Sequence, residues 1–168
     1  MEKEIVNRVA QSKLVTFDLE DYYPKGARIV LDIKDWLFEG IILREKEFRT
    51  HLENHDWSQY QGSFVAITCS TDAIVPGWAY MLLTTKLQPF ANKVVQGTLQ
   101  DLETILYQSI IDNLDISSFK DKSVIIKGCS NKPVPPNAYL GLTERLQTVA
   151  KSIMYGEACS SVPLFKRK

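Results

Sequence analysis

The feature that most constrains the fold is an internal repeat, because the chain matches itself at an offset of 59 residues. The segment Ala79–Gly97 aligns without a gap on Ala138–Gly156, and eight of the nineteen positions are identical. Chance would give about one identity at ordinary residue frequencies. Convergence of two crossover helices would explain the matched leucines but hardly the matched Tyr, Thr, Gln and Gly. We therefore infer a duplicated unit.

The order of elements predicts an α/β fold. The apolar run Phe64–Cys69 has the length of a strand that is covered on both faces. Amphipathic segments then alternate with short strand-like runs as far as residue 156, so each repeat is β–α–β with parallel strands and right-handed crossovers. We predict a mostly parallel sheet built from two repeated β–α–β units, at about 63–97 and 122–156, and flanked by helices.

The N-terminal third has a different pattern. Its first twelve residues predict a short helix, and Leu14–Leu19 and Arg28–Asp35 alternate as strands do, the second with an extension towards Leu43. Together these strands predict an antiparallel β-ribbon. Arg44–Asn54 is charged, with two apolar residues four apart, and predicts a surface helix.

The length of 168 residues fits one domain. We expect a single α/β domain over 1–168, with the helix, the ribbon and the surface helix in 1–60 and the duplicated core in 61–168. The short basic tail, Pro163–Lys168, is expected to be a frayed terminus.

Composition and charge exclude several classes of protein. Apolar residues make up 45% of the chain and the net charge is zero, which disfavours disorder. The balance of 20 Lys and Arg against 20 Asp and Glu disfavours nucleic acid as a partner. Since no apolar run approaches ~18 residues, no membrane span is expected. The first five residues carry no apolar signal core, so we expect a cytoplasmic protein.

The three cysteines share one position in the predicted fold. Cys69, Cys129 and Cys159 each follow a predicted parallel strand and each precede a serine. Three thiolates at one sheet edge, with one further ligand, would suit zinc or an iron–sulfur cluster. Because the chain has no CxxC pair, inert packing or loop thiols and redox or persulfide chemistry stay open as alternatives. The odd number argues against a disulfide framework.

Other polar groups are expected near the same edge. The loop Gly128–Pro136 leads into a helix N-terminus, so its backbone N–H groups could hold an anion beside Lys132. It matches neither the Walker loop nor GxGxxG, and a plain turn is the alternative. Asp72 and Glu157 complete the candidate ligand-binding set with Lys132 and the cysteines. His51 and His55 are four residues apart and could share one face of a predicted helix. They are either paired metal ligands or a solvated pair.

Several segments are similar to an uncharacterised bacterial family, a domain of unknown function, and the resemblance covers essentially the whole chain. These segments are Phe17–Pro24, Asn54–Tyr60, Ala66–Ser70, Ile74–Tyr80 and Lys151–Ser160. The resemblance brings no activity, cofactor or catalytic residue. It implies a small cytoplasmic bacterial protein that is encoded beside iron–sulfur assembly and sulfur-mobilisation genes.

Three hypotheses about function follow. The first is a non-catalytic accessory or binding protein, linked to iron–sulfur cluster assembly and its proteins as partners, with Cys69, Cys129 and Cys159 as metal ligands or sulfur acceptors. The second is a small-molecule enzyme or sensor that binds an anionic ligand at the 128–136 loop. The third is a homo-oligomeric interaction module that uses the aromatic residues Trp57 and Tyr60. Whether the chain is an enzyme is left open by the sequence.

Overall fold

The structure, a computed structural model, describes residues 14–128, 131–157 and 159–168. Within these ranges the strands are β1 (Leu14–Phe17), β2 (Arg28–Asp32), β3 (Phe64–Thr68), β4 (Lys93–Gln96), β5 (Ser123–Ile126), β6 (Ser152–Glu157) and β7 (Ser160–Lys166). The α-helices are α1 (Glu45–Asn54), α2 (Gly77–Leu87), α3 (Leu99–Asp112) and α4 (Pro136–Gln147). The helix predicted for the first twelve residues lies outside the described residues.

The chain forms two compact units, and each has its own sheet. One unit comprises Pro24–Ile105, with strand order β2–β3–β4, and the other comprises the described residues up to Tyr23 with Leu106–Lys168, with strand order β1–β5–β6–β7. Neighbouring strands are parallel except β6 and β7. The α/β fold class and the repeated β–α–β units are confirmed. The two repeats, however, form two sheets instead of the one expected, and the single domain over 1–168 stays a prediction.

The predicted antiparallel ribbon is wrong. β1 pairs in parallel with β5, and β2 pairs in parallel with β3, so the two N-terminal strands belong to different sheets. Alternation of apolar residues determines which face of a strand is buried, but it does not identify the neighbouring strand. The predicted extension towards Leu43 is also wrong, because the chain turns through a 3-10 helix at Lys34–Trp36 and then makes one isolated bridge between Phe38 and Ile42.

Each copy of the duplicated unit begins with one of these N-terminal strands. Phe17 pairs with Ile126 and Leu31 pairs with Ile67, and the two isoleucines are equivalent in the repeat. β1 therefore stands beside β5 in the same register as β2 beside β3. The duplicated unit is consequently longer than the repeat detected in the sequence.

An aspartate stands at the carboxyl end of the first strand in both copies. Asp18 accepts a hydrogen bond from the Glu20 N–H at 2.9 Å, and Asp32 accepts one from the Lys34 N–H at 3.1 Å. The 3-10 helices that follow are Leu19–Tyr22 and Lys34–Trp36. In both sheets, β1 or β2 thus ends at an aspartate that accepts a backbone hydrogen bond before a 3-10 helix.

Identities within the repeat mark the packing positions of the two crossover helices. The buried inner faces consist of Ala79, Leu83 and Leu87 on α2, and Ala138, Leu142 and Leu146 on α4. Gly97 and Gly156 follow equivalent strand positions with φ of 137° and 122°, a backbone conformation that favours glycine. The sequence identity therefore reflects the same helix-on-sheet packing in each unit.

The C-terminal tail forms β7, so the expectation of a frayed terminus is wrong. β7 runs antiparallel to β6, with a register shift between Ile153 and Met154 where Met154 faces Pro163. A proline inside a short run normally argues against a strand, and it is tolerated here because β7 is an edge strand beside an irregularity.

The surface helix predicted over 44–54 is confirmed as α1, with Phe48 and Leu52 buried. Among the described helices, none has the length and apolar content needed to cross a membrane.

Candidate functional site

The structure divides the predicted site residues that it describes between the two compact units. The residues in the unit Pro24–Ile105 are Cys69 and Asp72, those in the other unit are Lys132, Glu157 and Cys159, and Cys129 lies outside the described residues. The expectation that all three cysteines share one sheet edge is wrong, because Cys69 follows a strand of β2–β3–β4 whereas Cys159 follows β6 of the other sheet. The described residues include no group of three or more His, Cys, Asp or Glu that could hold a metal ion. A metal bound by the cysteines stays a prediction.

Cys69 lies half-buried at the carboxyl end of β3. Its Sγ is 3.3 Å from Thr71 Oγ1, and that hydroxyl donates to the Gly40 carbonyl at 2.7 Å. Burial first, and the neighbouring Cys69 second, raise the pKa of Tyr80 above its ordinary value, against the opposing effect of a hydrogen bond with Gln96. The immediate partners of this thiol are thus neutral polar groups, which is typical of a packed cysteine. Asp72 is exposed in the loop that follows.

The other sheet carries a denser polar cluster at the carboxyl edge of β1, β5 and β6. Asp18 and Lys127 directly follow the paired strands β1 and β5, and Lys127 Nζ lies 2.7 Å from Asp18 Oδ2. Burial acts to raise the pKa of Asp18, but hydrogen bonds from Lys127 and from the Glu20 N–H outweigh it and leave the pKa below its ordinary value. Hydrogen bonding and charge attraction to Asp18, with smaller contributions from Glu20 and Glu157, raise the pKa of Lys127. Lys127 is therefore held as an ammonium.

The loop predicted to bind an anion faces a carboxylate of the chain itself. Glu20 Oε1 accepts hydrogen bonds from the backbone N–H groups of Asn131 and Lys132, the latter at 2.7 Å. The Lys132 ammonium lies 5.2 Å from the centre of the Tyr23 ring. Two successive N–H groups of this loop thus already hold an anionic group.

Tyr155 closes one side of this edge. Its hydroxyl donates to the Gly128 carbonyl at 3.2 Å, and its ring meets Tyr139 edge-on at 5.8 Å. A Cβ on Gly128 would lie 3.0 Å from the Tyr155 ring, so the ring packs directly on the start of the loop. Cys159 is exposed in the turn after β6, and Glu157 is exposed at the end of β6.

Sequence reasoning missed Asp18, Glu20 and Lys127. The sequence contains a signal for Asp18, because Asp18 and Asp21 recur fourteen residues later as Asp32 and Asp35. A search for this second, shorter repeat would have identified Asp18. Lys127 could not be found in this way, since its counterpart in the other copy is a threonine.

The two histidines lie in an aromatic cluster. His55 Nε2 is 2.9 Å from the Tyr60 hydroxyl, and the His55 ring meets the Trp57 ring at 4.7 Å. Burial lowers the pKa of His55 below its ordinary value, although the charge of Asp56 opposes this shift. His51 stacks on Trp36. Both rings therefore serve packing here.

Trp57 and Tyr60 do not form an exposed patch. The Trp57 indole N–H donates to the Leu52 carbonyl at 2.9 Å, Trp57 is half-buried, and Tyr60 is buried. The aromatic residues that sequence analysis assigned to an oligomer contact therefore stabilise the unit in which they lie.

A family model described as "Protein of unknown function (DUF2480)" matches residues 3–167. No curated protein and no solved structure matches the chain.

Proposed function

Because the chain belongs to the DUF2480 family, whose description assigns no activity, we propose from the geometry of its own residues that it is a non-catalytic binding protein. Its binding site is the edge of the sheet at the carboxyl ends of β1, β5 and β6, and its ligand is a small molecule with an anionic group. The group binds the backbone N–H groups of Asn131 and Lys132 in exchange for Glu20.

The observation that carries this proposal is the Glu20 carboxylate on the backbone N–H groups of Asn131 and Lys132. Successive backbone N–H groups near a cation form an anion-binding concavity. The cation is Lys127, whose raised pKa reflects the charge of Glu20 among others. A ligand carboxylate or phosphate has the same hydrogen-bonding capacity as the Glu20 carboxylate, so it can take its place.

The protonation state of Lys127 favours binding over catalysis. A lysine acts as a nucleophile or base when its pKa is lowered towards neutrality, whereas the carboxylates around Lys127 shift its pKa upwards. Its hydrogen bond to Asp18 also gives the ammonium a defined position. Lys127 therefore contributes fixed positive charge to the site.

Removal of the internal carboxylate tests the proposal, with inorganic phosphate as the probe. We expect phosphate to raise the Tm of Glu20→Ala by several degrees more than the Tm of the wild-type protein, because phosphate no longer competes with Glu20. Asp21→Ala is the matched control, since Asp21 is exposed in the same 3-10 helix and its loss changes the net charge equally. Equal phosphate shifts in all three proteins would show that Glu20 does not occupy an anion site.

Other features of the function are proposed on the resemblance of the sequence alone. They are a bacterial, cytoplasmic protein with partners among iron–sulfur assembly proteins. Zinc or iron–sulfur binding by cysteine thiolates is proposed from the cysteines themselves, without a common site for all three. Elemental analysis of freshly purified, reduced protein tests the metal. A stoichiometric amount of zinc or iron would support it, and metal well below one equivalent per chain would contradict it.

A further inference from the structure

Helix α2 has apolar side chains on two faces. Its inner face, Ala79, Leu83 and Leu87, is fully buried in the core of the unit Pro24–Ile105. On the other side Trp78 is 37% exposed and Met81 is 72% exposed. Large apolar side chains that are this exposed on a helix commonly mark an interaction surface. The outer face of α2 is therefore short of a partner within the described chain.

The equivalent helix of the other unit shows that the β–α–β architecture does not require this outer face. The α4 residues at the positions of Trp78, Leu82 and Thr85 are Asn137, Gly141 and Glu144. Leu140, at the position of Met81, is exposed and apolar, but no bulky apolar neighbours accompany it at these three positions. The continuous apolar face is specific to α2.

A groove runs between α2 and α1. α1 contributes Glu45 and Arg49 to its lining, and α2 contributes Trp78, Met81, Leu82 and Thr85. The Trp78 ring meets Phe48 of α1 edge-on at 6.0 Å, so the two helices are in contact at this point. The rim of the groove thus carries one acid and one base, with Arg49 Nε 2.9 Å from Glu45 Oε1.

We propose that this groove is the interface between two copies of the chain, related by a two-fold axis that sets Glu45 of each copy opposite Arg49 of the other. A two-fold interface brings the same patch together with itself, so its charges must be self-complementary. An acid and a base on one rim meet that condition, and a patch with one sign of charge would not. The formal net charge of zero also means that the two copies do not repel each other at long range. An exposed apolar patch with a polar rim is typical of a protein–protein interface.

Substitution of an apolar residue tests the interface. By light scattering or sedimentation, the wild-type protein is expected at twice the mass of one chain, and Met81→Glu is expected at the mass of one chain. Leu140→Glu is the matched control at the equivalent, similarly exposed position of α4, and it is expected to stay dimeric. A wild-type protein that is monomeric up to its solubility limit would overturn the proposal and leave the groove to a different protein partner. Equal dissociation of both variants would overturn it as well.

Exchange of the rim charges tests the two-fold pairing separately. Glu45→Arg and Arg49→Glu each set like charges opposite each other and should raise the fraction of monomer. The double variant restores opposite charges across the axis and should return the mass to that of the wild-type dimer. If the double variant dissociates at least as much as the single ones, the two-fold arrangement is wrong. These side chains are more than half exposed, so the variants should fold, and circular dichroism verifies this.

Discussion

A buried ion pair in the unit Pro24–Ile105 allows a sharp prediction of stability. Arg28 Nε donates to Glu103 Oε1 at 2.6 Å and Arg28 Nη2 donates to Glu103 Oε2 at 3.2 Å, in a two-pronged arrangement. The two side chains are 12% and 7% exposed. The guanidinium also lies over the Phe64 ring at 4.9 Å. The pair joins the start of β2 to α3, and Glu103→Ala removes one half of it.

The loss of unfolding free energy in Glu103→Ala depends on the hydrogen bonds that Arg28 retains. Removal of one partner from a buried ion pair costs about 3–5 kcal/mol. In Glu103→Ala the Nη1 atom of Arg28 can still donate to the carbonyls of Pro24 and Gly26, at 2.6 and 2.8 Å. We therefore expect a loss at the lower end of the range, about 3 kcal/mol. The double variant Arg28→Met with Glu103→Leu should recover most of this loss, because no charge is then buried.

Tryptophan fluorescence during urea unfolding measures this loss in the correct unit. Trp36, Trp57 and Trp78 all lie in Pro24–Ile105, so their fluorescence follows the unfolding of that unit. Glu47→Ala is the control, because its partner Arg44 lies 3.1 Å away with both side chains about half exposed. An exposed pair contributes at most about 1 kcal/mol. A loss for Glu103→Ala no larger than that for Glu47→Ala would refute the reasoning.

Further predictions concern backbone conformation and pH. Gly156→Ala should destabilise the protein by more than about 1 kcal/mol in urea unfolding, since φ is 122° and the new Cβ would meet the Ser160 carbonyl oxygen at 2.5 Å. Gly141→Ala should stabilise it by about 0.5–1 kcal/mol, because the nearest atoms to its Cβ are at 3.7 Å or beyond; a shift of the same sign in both would contradict this. Since burial lowers the folded-state pKa of His55, its contribution is complete above the unfolded pKa of about 6.5 and is lost as the pH falls towards the folded pKa. His55→Phe should flatten the fluorescence-detected stability across this window, and an unchanged slope would exclude the histidine as its source.

The sequence predicts the elements of this fold well and their partners less well. The runs at 64–69, 93–97 and 121–128 are short, and each contains two or more successive apolar residues that include valine. All three become strands, because β-branched residues favour the extended backbone. The sequence cannot assign the strands to sheets, since hydrophobic alternation in β1 and β2 is satisfied equally by an antiparallel or a parallel neighbour. The strand β7 was not predicted. Proline is uncommon within a strand, but Pro163 is tolerated here because β7 lies at a sheet edge.

The candidate site was predicted in part, since the 128–136 loop was identified and its internal anion was not. Glu20 lies more than a hundred residues before the loop in the sequence, and the contact exists because β1 pairs with β5. The expected cluster of cysteines rested on one shared sheet. It failed for Cys69 because the first strand of each copy starts a separate sheet.

The pairing of β1 with β5 has a consequence for biosynthesis. A ribosome completes Pro24–Ile105 as one uninterrupted stretch, so this unit can collapse while the chain is still growing. β1 emerges earlier but finds its neighbour only when residues 123–126 leave the exit tunnel. The chain between β1 and β5 is roughly three times as long as the chain between β2 and β3. Closing the longer loop costs only about 1 kcal/mol more in chain entropy. The main effect is therefore a delay during which β1 has no neighbouring strand, and its length of only four residues limits mispairing.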